Sequence, residues 1–68
     1  VNLTRGELNA LRDARRKMTG IRERTVAVVE LLDRSMGRRN GATLRVVSAV
    51  TALNDALSEL NRQIGDQG

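Results

Sequence analysis

The chain has 68 residues, a net charge of +4 and no Cys, His, Phe, Tyr or Trp, which excludes disulfides, thiolate chemistry and the usual zinc and haem sites. A single domain of this size buries only about 60% of its unfolded surface and needs a helper; without disulfide or metal, that helper is association. Any core is assembled from Leu, Val, Ile, Met and Ala, each burying less area than an aromatic ring.

The segment Leu3-Thr4-Arg5-Gly6-Glu7-Leu8 reads as a helix start. Thr4 takes the N-cap and Glu7 the N3 position of a capping box, while Leu3 and Leu8 stand where a hydrophobic staple forms. Apolar or small residues then recur at Leu11, Ala14, Met18, Ile21, Thr25, Val28 and Leu32. Their alternating steps of three and four are the seam of a left-handed coiled coil. Gly37 follows Met36 as a C′ glycine, with Arg34 in the last turn at the negative end of the helix dipole. The first helix is expected over residues 5–36, ~48 Å long at ~1.5 Å per residue. Gly20 sits inside it, away from the expected seam, where a glycine costs about 1 kcal/mol relative to alanine.

Gly37-Arg38-Arg39-Asn40-Gly41 is the one clear break, and Asn40 is a candidate N-cap for the second helix. That helix, expected over residues 42–64, carries a seam of Val46, Val50, Leu53, Leu57, Leu60 and Ile64. Gly65 ends it as a C′ glycine, and Asp66-Gln67-Gly68 is a short frayed tail. A turn this short between two long helices predicts an antiparallel hairpin. Alignment about the turn pairs Leu32 with Val46, Val28 with Val50, Ile21 with Leu57, Met18 with Leu60 and Ala14 with Ile64. The competing reading is a β-hairpin around Asn40-Gly41, because residues 25–29 and 44–47 are rich in β-branched side chains. The doublets Val28-Val29, Leu31-Leu32 and Val46-Val47 break strand alternation, and the heptads run through both segments without a change of phase. The expected fold is therefore all-α, a single domain over residues 1–68. It is a long, coiled-coil-like two-helix hairpin, completed into a bundle by oligomerisation or by a partner.

Two features point outward from such a hairpin. The half next to the turn is apolar over more of each helix than one partner helix covers, so Val26, Val29, Leu44 and Val47 are expected at a second protein interface. The longer first helix overhangs the second, which adds Leu3, Leu8 and Leu11 to that expectation. The other feature is basic. Arg12, Arg15 and Arg16 on the first helix, with Arg38 and Arg39 in the turn, are candidates for contact with a nucleic-acid backbone. Asp13, Glu23, Glu30 and Asp33 are interspersed on the same helix, and no aromatic side chain is present to stack on a base. Local pairs such as Asp13–Lys17 and Glu30–Arg34 account for many of these charges. Arg15 and Arg22 flank the seam and can cover it with their stems.

No Ser, Thr or Lys has an adjacent base in a catalytic spacing, and the glycines form no phosphate-binding loop. No catalytic residue, cofactor or metal ligand is expected. The reading is a non-enzymatic helical assembly or adaptor module that acts through protein–protein contacts, with itself or with another protein. A structural component of a larger particle, such as a phage or secretion assembly, fits this description. The alternative is a small basic helical dimer that binds RNA or DNA backbone. With no apolar run of membrane-span length and no secretory signal, the expected location is cytoplasmic or within an assembled particle.

Overall fold

The computed structural model describes residues 3–65. Two helices, α1 (Arg5–Ser35) and α2 (Gly41–Gly65), pack against each other as an antiparallel hairpin. The result is a rod of 46 × 16 × 14 Å. The segments that compete for a β-hairpin are helical throughout.

Local chemistry sets the ends of both helices. At the start of α1, Glu7 N–H donates to Thr4 Oγ1 at 3.1 Å, and Thr4 N–H donates to Glu7 Oε1 at 3.1 Å. That reciprocal pair is the expected capping box. At the other end, Gly37 has φ +81°, a left-handed conformation that costs a side chain-bearing residue far more than glycine. Its N–H reaches the carbonyls of Asp33 at 3.1 Å and Leu32 at 3.2 Å, satisfying acceptors that α1 leaves open. Asn40 caps α2: its Oδ1 accepts from Ala42 N–H at 2.8 Å and its carbonyl accepts from Leu44 N–H at 3.1 Å. Three boundaries differ from expectation by one residue. Helix α1 ends at Ser35, α2 begins at Gly41, and Gly65 is the last helical residue of α2 rather than the residue beyond it. The expected frayed tail, residues 66–68, lies outside the described residues.

The seam of α2 matches expectation, with Val46, Val50, Leu53, Leu60 and Ile64 half-buried and Leu57 buried. The seam of α1 matches at Leu11, Ala14, Met18, Thr25 and Leu32, which are half-buried, and departs at two positions. Ile21 and Val28, expected inside, are 46% and 43% exposed, while Val29 is buried to 9%. The residues turned toward α2 are Leu11, Arg15, Met18, Arg22, Thr25, Val29 and Leu32. This series also alternates steps of three and four, so α1 carries two valid heptads that share Leu11, Met18, Thr25 and Leu32. They differ by one residue, about 100° of rotation, at three positions. The pairings of Ile21 with Leu57 and of Val28 with Val50 are thereby corrected. Leu57 lies beside Arg15, Thr19 and Arg22, and Val50 beside Val26 and Val29.

Polar residues are tolerated on this seam because most are satisfied. Thr25 Oγ1 donates to the Ile21 carbonyl at 2.7 Å, and the flanking Thr19 Oγ1 donates to the Arg15 carbonyl at 2.8 Å. Thr43 is the exception: it is wholly buried and its Oγ1 has no hydrogen-bond partner. Leaving such a group unsatisfied costs about 1–3 kcal/mol. Among the described residues, Val29 and Leu57 are the buried apolar side chains.

Candidate interaction surfaces

One long side of the rod is polar and internally cross-linked. Arg15 Nη1 donates to Asn61 Oδ1 at 3.1 Å, and Arg22 Nη1 donates to Asn54 Oδ1 at 3.2 Å. Both arginines and both asparagines are seven residues apart, so the two bonds repeat with the heptad along an open groove of ≈ 460 Å³. Both arginines are half-buried and line this groove together with Leu57. The sequence signals this arrangement through arginines at i, i+7 on one helix and asparagines at i, i+7 on the other. Closer to the turn, the same side becomes apolar, where Val26, Val29, Val47 and Val50 line a depression of ≈ 200 Å³ beside Arg38 and Thr51.

The opposite side is apolar. Ile21, Thr25 and Val28 of α1 meet Val46 and Ala49 of α2 around a depression of ≈ 380 Å³, with Arg24 at its edge. Leu31, 56% exposed, continues this side toward the turn. Sequence reasoning misses it as a surface because the apolar pattern assigns Ile21 and Val28 to the seam.

The residues expected at a second interface fall in two places. Val26 and Val47 share the depression near the turn with Val29, which is used by the hairpin itself, and Leu44 is exposed on the adjoining part of α2. Leu3, Leu8 and Leu11 are half-buried at the far end of the rod, about 30 Å away along α1 at ~1.5 Å per residue.

The basic residues do not form one face. Arg16 pairs with Asp13 at 2.7 Å, and Lys17 reaches the other oxygen of the same carboxylate at 3.0 Å. Arg38 pairs with Asp33 at 3.2 Å, and Arg15 is turned into the asparagine groove. Arg12 and Arg39 are exposed. The expected Asp13–Lys17 pair is present, whereas Arg34 Nε donates to the backbone carbonyl of Glu30, not to its carboxylate. The hydrogen bond from Lys17, then that from Arg16, lowers the Asp13 carboxyl below its ordinary range. Arg62 and then Gln63 pull Glu59 down to about 2, while Glu7 is lowered mainly by the Thr4 backbone N–H at the cap. All three shifts come from local hydrogen bonds at the surface.

Among the described residues, no group of three or more acidic side chains is placed to hold a metal ion, and no helix is long and apolar enough to cross a membrane. Comparison with protein-family models, curated proteins and solved structures gives no match.

Proposed function

We propose that this chain is a non-enzymatic helical assembly module that acts through protein–protein contacts of its apolar side. The observation that carries this reading is the choice of seam. A hairpin acting alone gains most by turning Ile21 and Val28 inward. Here α1 instead turns Arg15 and Arg22 toward α2 and leaves the aliphatic pair outside. Full burial of such a side chain stabilises by about 1.5–3 kcal/mol, and covering the 46% and 43% still exposed on Ile21 and Val28 yields roughly half of that each, so the arrangement favours a molecule whose outer side is covered by another protein. Settings that fit are a small adaptor, or a structural part of a larger particle such as a phage or secretion assembly, in the cytoplasm or within that particle.

The test is a thermal melt and a solution mass over a range of protein concentrations. Folding coupled to assembly gives a melting temperature that rises with concentration. A chain that is folded and monomeric at high micromolar concentration, with a concentration-independent melt, overturns the reading.

A second reading, binding of RNA or DNA backbone by a basic dimer, draws on Arg15 and Arg22, which face asparagines and not carboxylates. Salt separates the two. Phosphate binding weakens steeply with added salt, whereas an apolar contact does not.

A further inference from the structure

The geometry points to a second copy of this chain as the occupant of the apolar side, stacked with its turn at the same end of the bundle. This inference rests on the assembly reading and adds the partner and its orientation.

The exposed area is sufficient for a copy of similar size. A compact monomer of 7.5 kDa exposes about 4,200 Å². This rod exposes 5034 Å², an excess of about 800 Å², which is the share one partner buries in a standard-size interface. Stacking two such rods side on side removes surface of that order from each.

The orientation comes from where large and small residues stand. Arg15 is level with Asn61 and Arg22 with Asn54, so levels along the rod are known. Within a residue, Val28 is then level with Ala49 and Ile21 with Ala56. Ile21 and Val28 are seven apart on α1, as are Ala49 and Ala56 on α2, so both pairs keep to one face. The first pair is bulky and the second small. A two-fold axis parallel to the helices preserves every level and lays α1 of one copy over α2 of the other. Each Ile or Val then meets an alanine, in both directions, and the two inter-copy helix pairs have equal spacing. Lys17 also comes level with Glu59 of the other copy, setting opposite charges at the edge. A two-fold axis perpendicular to the helices does the reverse. It sets α1 on α1 and α2 on α2, so that Ile21 and Val28 no longer meet Ala56 and Ala49.

The chain has no cysteine, so Arg39→Cys in the exposed turn provides a single attachment point for a spin label. Pulsed dipolar spectroscopy on the labelled full chain reads the distance between turns in the assembly. With helix axes 8–10 Å apart, turns at one end place the labels about 20–30 Å apart. Turns at opposite ends place them near or beyond the 46 Å length of the rod. A dimer with the short distance supports the inference. A dimer with only the long distance overturns the orientation and leaves the assembly reading intact. A chain that is unfolded alone and does not self-associate overturns the second copy as occupant. A stable folded monomer overturns both.

Discussion

The two long sides of the hairpin are built from the same two helices, about 100° of helix rotation apart, yet they treat their side chains oppositely. On the polar side, Arg15 and Arg22 find acceptors in Asn61 and Asn54, and both line a groove with Leu57. On the apolar side, Ile21 and Val28 border a depression with Val46 and Ala49, and the hairpin leaves them 46% and 43% exposed. Both series satisfy a heptad on α1. The difference teaches that periodicity names the faces available to a helix, and that the groups on its neighbour select among them. Asparagines seven residues apart accept guanidinium donors that an aliphatic seam cannot satisfy. The side left over is the one proposed to meet a second molecule.

The comparison breaks most readily at Ile21 and Val28. Changing both to Asp is expected to abolish assembly and, with it, most of the helix seen by circular dichroism. Each aliphatic side chain contributes about 1.5–3 kcal/mol when buried. Arg15→Ala with Arg22→Ala, on the other side, is expected to leave assembly in place. Equal loss from both double variants would erase the distinction between the sides.

Next in size is Leu57→Ala, at the seam between the two sides. A buried leucine truncated to alanine costs roughly 2–5 kcal/mol, measured by urea unfolding at fixed protein concentration. A change under about 0.5 kcal/mol, the range of ordinary surface substitutions, would mean that Leu57 is not enclosed as described.

The smallest expected effect is that of acid on the surface carboxylates. Glu59 is lowered from its ordinary 4.5 to about 2 by Arg62 and Gln63, and Glu7 and Asp13 are lowered by the Thr4 cap and by Lys17 with Arg16. A carboxylate lowered in the folded state adds stability that is complete above its unfolded value and is lost as pH falls through its folded value. These exposed groups therefore predict a slight, gradual decline in melting temperature from about pH 4.5 down to about 2 for Glu59. A sharp acid transition in that window would assign these carboxylates a larger part in stability than exposed groups usually have.

The helices, their caps and the turn were legible in the residues because each depends on neighbours within a few positions. Thr4 and Glu7 close the capping box alone, Gly37 adopts its left-handed conformation where α1 ends, and Asn40 binds Ala42 within the same turn. The antiparallel hairpin and the seam of α2 were equally legible, since α2 has one strong aliphatic stripe. The rotation of α1 was not. Ala14, Ile21 and Val28 make a more apolar stripe than Arg15, Arg22 and Val29, and hydrophobicity alone ranks the first stripe inward. Only the tertiary structure decided otherwise, because the rotation is a property of how α1 meets α2, seen in the bonds to Asn54 and Asn61, more than thirty residues away along the chain. That one-residue choice moved Ile21 and Val28 from the core to the surface and defined the side proposed for assembly.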